Sequence, residues 1–374
     1  MADAAQILGG DKKRTQLFSC EDPFNPGVSI EGVLSLRPDH NYGSMVILRV
    51  DGRRCRQTVR ATPKLHYPFD KGGTFRFPVA RSIHFYEKLD GTNILSYAYD
   101  HPDGRRLVSH KLRLAPFVRN GRWGSFLDMW RELLQSHPQI PGLVLDSGYN
   151  FSFEMYGSRN EHLIRYKNSL EVALLFGIGR ANGCVAAPHM LDLRGVPAAA
   201  LLGEVGRGDD PVARYEEMRK FLEGGNSKET DGKISGREGA VWYLRGGGGD
   251  VSMWKCKPES VESIHWATGI NKASVLATCW NSLESSDALD YGTLEPLLLE
   301  EYQQDDILKF RAHIDECIAE VNEENSFRSA VREAYGEIQE RGLRLETDKG
   351  AVMRILSGKF PRDKMTKVYG AISR

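Results

Sequence analysis

Lys88 stands in Glu87-Lys88-Leu89-Asp90-Gly91-Thr92-Asn93, at the end of an apolar segment and directly before an acidic-glycine turn. A lysine amine can serve as a covalent nucleophile. With an ordinary pKa of ~10.4 it is protonated at neutral pH, so such a lysine needs nearby cations or burial to become reactive. The same string also fits a solvated hairpin residue, because Asp-Gly is a common turn dipeptide.

Three further places carry chemistry-bearing side chains. Phe153-Glu154-Met155-Tyr156-Gly157 closes the strand-like run Tyr149 to Met155 and sets a carboxylate beside a glycine, where a ligand could approach the backbone. Glu238-Gly239-Ala240-Val241 repeats that arrangement after a polar, Gly-rich stretch from Gly224 to Gly236. Trp254-Lys255-Cys256-Lys257 puts two lysines at period two, hence on one face of a strand. Like charges so placed suit a shared anionic ligand such as a polyphosphate, and could lower the pKa of a third amine nearby. Taken singly, each has an ordinary structural explanation: a strand-end carboxylate, a turn, and an edge strand guarded by lysine.

In order, Lys-x-Asp-Gly, Phe-Glu-x-Tyr-Gly, Glu-Gly-x-Val and Lys-x-Lys resemble motifs I, III, IV and V of the covalent nucleotidyltransferases, the superfamily of ATP-dependent RNA and DNA ligases and mRNA capping enzymes. Leu174-Leu175-Phe176-Gly177 falls where that superfamily carries motif IIIa, and the resemblance spans Phe85 to Lys257.

The resemblance implies that Lys88 attacks the α-phosphate of ATP, expels pyrophosphate and holds AMP as a lysyl phosphoramidate. Catalysis would come from positioning and cations: Lys255, Lys257 and magnesium or manganese, with Glu238 as the metal carboxylate. Glu154 would meet a ribose hydroxyl, Phe176 would stack on the purine, and Glu87 would read the adenine amino group. In Ser109-His110-Lys111-Leu112-Arg113-Leu114 the expected ribose- or RNA-contacting arginine is Arg113, with Lys111 as the other candidate. Strand alternation would send these two cations one way and Leu112 and Leu114 the other.

The Gly-Thr-Asn continuation of motif I is similar to that of several RNA ligases. It implies that Asn93 places the RNA 5' end or a nucleotide phosphate, unless it is a turn residue bonding its own backbone. Asp90 would support the final sealing step together with a second metal. The expected activity joins RNA 5'-phosphate and 3'-hydroxyl ends. A DNA nick ligase, a GTP-using capping guanylyltransferase and a catalytically silent protein that binds nucleic-acid ends remain alternatives. Thr62-Pro63-Lys64-Leu65-His66-Tyr67-Pro68 resembles a segment of archaeal-type homodimeric, circularising RNA ligases, or is an extended proline-bracketed connector.

Composition bounds these expectations. The 374 residues, 41% of them hydrophobic, can bury a large core in two or three domains. Formal net charge is zero, with 50 basic and 50 acidic residues, which argues against a general nucleic-acid coat and leaves room for a local basic groove. The six cysteines show neither Cys-x-x-Cys nor Cys/His ligand spacing and read as free thiols. Residues 1–13 lack an apolar core and no apolar run approaches membrane-spanning length, so a soluble, cytoplasmic protein is expected.

The expected fold is α+β. It comprises a nucleotidyltransferase core (ATP-grasp-like ligase adenylation) at 81–258, a small β-rich N-terminal lobe at 1–80 and a helical C-terminal region at 259–374. The lobe should hold strands at Met45 to Val50 and Thr74 to Phe77. The core should hold helices at Trp123 to Gln135 and Pro211 to Glu223, and a buried strand at Val172 to Ile178. Gly246 to Gly249 reads as a hairpin tip and lacks the Gly-x-x-x-x-Gly-Lys pattern of a P-loop. Helical patterning covers Val261 to Ser282, Leu294 to Val321 and Ser326 to Arg341. That leaves no visible oligonucleotide-binding fold after motif V and favours RNA ligase. Arg362-Asp363-Lys364 is similar to part of a capping-enzyme motif VI, and reads instead as a helix-start charge cluster after Pro361.

Overall fold

The computed structural model describes residues 7–8, 15–36, 41–63, 65–69, 74–120, 125–206, 208–229, 233–266, 270, 272–285, 289–302 and 304–373. Strands β1 (Thr15–Glu21), β2 (Ser29–Ser35), β3 (Met45–Val50) and β4 (Arg53–Val59) form an antiparallel meander in sequence order. Asp51 at φ 48° and Gly52 at φ 70° make the two-residue turn from β3 to β4. Both need left-handed backbone, as the tight hairpin turns that match strand twist do.

The central region carries β5 (Ser82–Lys88), β6 (Thr92–Asp100), β7 (Arg106–Lys111), α1 (Phe126–Ser136), α2 (Gln139–Asp146), β8 (Tyr149–Tyr156), β9 (Glu171–Gly179), β10 (Val185–Ala186), β11 (Leu201–Val205), α3 (Pro211–Gly224), β12 (Ser227–Lys228), β13 (Ile234–Ser235), β14 (Gly239–Arg245) and β15 (Val251–Cys256). One sheet has the order β10-β9-β8-β6-β7 and another β11-β5-β14-β15. Their strand pairs are antiparallel. Residues such as Ile47, Tyr97, Phe176 and Tyr243 join the N-terminal meander and both sheets into one apolar core. Outside this, Trp130 of α1 and Val144 of α2 pack on Phe151 and Phe153 of the five-stranded sheet, while Tyr215 and Leu222 of α3 pack against Phe85 and Trp242 of the four-stranded one. The fold is therefore α+β, with the two sheets lying between helices.

The C-terminal region holds α4 (Glu259–Trp266), α5 (Lys272–Ser285), α6 (Tyr291–Glu301), α7 (Gln304–Lys309), α8 (Arg311–Glu340), α9 (Leu345–Lys359) and α10 (Met365–Ile372). It has apolar clusters of its own, one around Val275, Leu298 and Ile314 and one around Val331, Val352 and Val368. The helical stretch expected from Val261 to Ser282 is two helices, and that from Leu294 to Val321 is divided among α6, α7 and α8. Extended backbone at Tyr302, φ −117° and ψ 158°, ends α6.

Among the described residues Thr74 to Phe77 forms no strand ladder, only a single bridge from Phe75 to Phe69. The alternation of Phe75 and Phe77 serves aromatic packing, with Phe77 stacked on Trp242 at 5.6 Å and Phe75 edge-on to Tyr215 at 5.3 Å. Gly246 to Gly249 does form the tip of the β14–β15 hairpin, closed by Gly246 N donating to Asp250 O at 2.8 Å. Arg362 to Lys364 is a short 3-10 turn leading into α10, with the Lys364 ammonium over the Phe327 ring.

Candidate active site

Lys88 is the last residue of β5, opposite Gly239 of β14, and Asn93 lies near the start of β6, opposite Glu154 of β8. The turn Leu89-Asp90-Gly91 thus carries the chain from one sheet to the other, and the nucleophile candidate sits at the seam. Close approach dictates the glycine: a Cβ on Gly91 would lie 2.2 Å from Met155 O. Two backbone N–H groups, of Leu163 and Ile164, donate to Asp90 Oδ2 at 2.6 and 2.7 Å, and Asp90 N donates to Tyr166 Oη at 2.8 Å. Asp90 therefore fastens the turn to the segment after β8.

A cavity of about 400 Å³ opens at this seam. Lys88, Glu87, Asp90, Asn93, Glu154 and Glu238 line it on the polar side, with Phe176, Val241 and Tyr243 on an apolar wall and Arg113 also on its lining. Glu238 Oε2 accepts from Lys88 Nζ at 2.5 Å, and Lys257 Nζ reaches Glu238 Oε1 at 3.1 Å. Glu238 and Lys257 are 7% and 2% exposed in their side chains, against 21% for Lys88, so the ammonium nearest the cavity is also the most accessible.

Burial raises the Glu154 carboxyl to about 8, with Lys88 opposing the shift and the charges of Glu238 and Asp90 adding to it. Burial and the Glu238 charge likewise push the Asp90 carboxyl above its ordinary range. The Glu238 charge thus raises both neighbouring carboxyls, and its own oxygens are hard donors of the kind magnesium takes. No group of three or more His, Cys, Asp or Glu side chains converges at ligand geometry among the described residues. A divalent ion held at Glu238 would therefore complete its shell with water and phosphate oxygens.

The expected phosphate lysines sit apart from the cavity lining. Lys257 backs Glu238, and the Lys255 ammonium lies 4.5 Å from the Tyr67 ring centroid, with Lys255 N donating to His66 O. The segment around Thr62 to Pro68 runs beside β15 through that contact and a parallel bridge from His66 to Trp254.

Alternation fails at the expected arginine, because β7 ends at Lys111 and Leu112 to Leu114 turn. Leu112, Arg113 and Leu114 all line the cavity. Lys111, the other candidate, is fully buried instead, donating to the carbonyls of Gly43, Leu112 and Arg113 at 3.0, 2.7 and 2.8 Å. Burial, and then Arg113, lower its amine to about 7. Asn93 does not bond its own turn: Nδ2 donates to Ser152 Oγ at 2.9 Å and Phe153 O at 3.1 Å, and Oδ1 accepts from Thr62 Oγ1 at 3.2 Å. Glu87 Oε1 lies 3.2 Å from Arg237 Nε, an ion pair one residue before Lys88 and Glu238 on their respective segments.

Sequence reasoning missed Arg237, His162 and the contribution of the C-terminal helices. Thr278 and Asn281, three apart on α5, line the cavity with Leu297 of α6. Nothing in an amphipathic helical pattern marks which helix will meet a site some 200 positions earlier; the i, i+3 pairing of two polar residues was the available signal.

No family model and no curated protein matches the chain. Solved structures similar to it include an archaeal ATP-dependent RNA ligase at 13% identity, covering 81% of this chain and 73% of that one with a TM-score of 0.41. A putative ATP-dependent DNA ligase from Aquifex aeolicus is 13% identical over 94% of this chain and 86% of its own, TM-score 0.42. A Naegleria gruberi RNA ligase with PPi is 10% identical over 68% and 99% of the two chains, TM-score 0.35.

Proposed function

We propose that this chain is an ATP-dependent RNA ligase that works through a lysyl-adenylate on Lys88. The reading rests above all on the convergence of Lys88, Glu154, Phe176, Arg113 and Glu238, from separate elements, on one cavity of about 400 Å³. That volume is within the ~300–1,000 Å³ common for small-ligand sites. The order of motifs along the chain supports it independently.

In this reading Phe176 offers its ring to the purine and Glu87 accepts from the adenine amino group. Glu154, whose raised carboxyl keeps its proton at neutral pH, both donates to and accepts from the ribose hydroxyls. Lys88 Nζ, as the free amine after its ammonium proton is lost to solvent, attacks the α-phosphorus, so that a P–N bond forms and the bond to pyrophosphate breaks. The Lys257 ammonium stays paired with the Glu238 carboxylate while Lys88 turns to phosphorus. Magnesium or manganese, when bound near Glu238, supplies charge neutralisation on the phosphate oxygens.

The AMP then passes to an RNA 5'-phosphate as a 5'-5' pyrophosphate, and an RNA 3'-hydroxyl attacks that end with loss of AMP. Asp90 holds the nucleophile turn throughout, Asn93 and Arg113 face the incoming end, and Lys255 adds charge behind the wall. A homodimer belongs to the proposal through the segment Thr62 to Pro68 alone.

The test is end joining with 5'-phosphorylated single-stranded RNA, nicked duplex RNA and nicked duplex DNA, each with ATP and magnesium. Adenylated and joined RNA is expected. Sealing of nicked DNA alone would replace RNA with DNA, and transfer from GTP alone would replace ligation with capping.

A further inference from the structure

The neutral formal charge of the chain conceals an uneven surface. Arg53, Arg54 and Arg56 are exposed on β4, the edge strand of the N-terminal meander, and Arg60 follows just beyond it. Among the described residues none of these four side chains makes an ion pair or hydrogen bond. Arg54 is moreover directly opposite Arg49 of β3, a like-charge cross-strand pair relieved only at its far side, where Glu31 lies 3.8 Å from Arg49. Such pairs cost stability unless an anion spans them.

The nearby carboxylates are committed elsewhere: Asp51 to His101, Asp100 to Arg106 and Asp103 to Arg105. Gln57 turns inward, exchanging two hydrogen bonds with the Asp100 backbone at 2.8 and 2.6 Å, which leaves the arginines as the solvent-facing charge of the edge. Arg60 continues the row, its Cδ lying where a Cβ on Gly183 would come within 2.5 Å. Two residues later Thr62 lines the cavity and reaches Asn93. From Arg53 to Thr62 the extended chain covers ~30 Å at ~3.3 Å per residue.

We propose that the arginine edge of β4 is a docking track for the sugar-phosphate backbone of single-stranded RNA, leading its end to the Lys88 cavity. The proposal rests on the ligase reading for its choice of nucleic acid, and on charge complementarity for the rest: an uncompensated cationic row of ~23 Å, from Arg53 to Arg60, fits successive phosphates.

The experiment measures binding of a 5'-phosphorylated 20-nucleotide RNA to the full chain by fluorescence anisotropy across a salt series. The variants are Arg53→Ala/Arg54→Ala/Arg56→Ala, the matching triple lysine variant, and Arg54→Glu/Arg56→Glu. Each lost phosphate contact on a single strand lowers the log–log salt slope by ~0.7. The alanine variant should therefore lose about 2 units of slope and bind about tenfold or more weaker at 0.1 M salt. The lysine variant should stay within about threefold, and the glutamate variant, which keeps the edge charged against self-association, should bind weakest.

Equal affinity and slope in the alanine and glutamate variants would overturn the track. So would unchanged RNA binding accompanied by a new dimer or aggregate in sedimentation, which would make the arginines guards of an exposed strand edge. Self-adenylation of the unsubstituted protein is scored separately. Its failure would sink the ligase chemistry, while the anisotropy comparison would still decide the track.

Discussion

Lys88 Nζ lies 2.5 Å from Glu238 Oε2, although 150 positions separate the two residues. The pairing of β5 with β14 brings them together, and Lys257 takes the other Glu238 oxygen from the strap after β15. Glu238→Gln would leave two ammonium groups facing each other around a neutral amide. Breaking such a buried arrangement costs on the order of 3 kcal/mol, and adenylate formation should fall about 100-fold or more. Urea unfolding gives the first number and the rate of label transfer from ATP gives the second.

Gly91→Ala should be disproportionate to its single methyl group. The added Cβ meets a backbone carbonyl, Met155 O, that is held in the β6–β8 ladder and has little room to move. The expected loss is about 3 kcal/mol with adenylation nearly abolished. A variant that melts and adenylates like the parent would show that the turn does not need this approach between sheets.

Glu154 gives a pH signature. Its folded carboxyl is raised to about 8 from 4.5, so the folded chain holds a proton that the unfolded chain releases. The stability it contributes is complete below pH ~4.3 and is lost as pH rises through about 8. Glu154→Gln, which mimics the protonated form, should remove that decline, so that variant and parent differ more at pH 8.5 than at pH 5. Parallel stability curves would refute the assignment.

Lys111 works in the opposite sense. Its amine is lowered from 10.5 to about 7, so the unfolded chain binds the extra proton across that window and stability rises with pH until the unfolded lysine titrates. Lys111→Met should flatten the rise between pH 7 and 10. It should also loosen Arg113, whose carbonyl the amine braces, and raise the KM for the RNA end more than it lowers the adenylation rate.

The sequence made the polar half of the cavity legible because each residue there sits in a short string with a turn or strand end: Lys88 before Asp-Gly, Glu154 before Tyr-Gly, Glu238 before Gly. The alternation expected from Lys111 to Leu114 does not hold, because it lasts only while a strand continues and β7 stops at Lys111. Helix α2 escaped notice because Pro141 and Gly142 disfavour helix, yet Pro141 falls in the first turn, where the missing N–H costs nothing. Gly350 and Gly358 weakened the pattern of α9 in the same way. Thr278 and Asn281 reach the cavity through tertiary packing of α5, which their i, i+3 spacing alone does not reveal.

The most direct measurement is transfer of label from α-labelled ATP to the purified protein with magnesium, resolved under denaturing conditions beside Lys88→Ala. The account predicts an acid-labile adenylate on the parent, none on Lys88→Ala, and no labelling of comparable yield from GTP. A parent protein that takes no label, or a Lys88→Ala variant that takes as much as the parent, would contradict it.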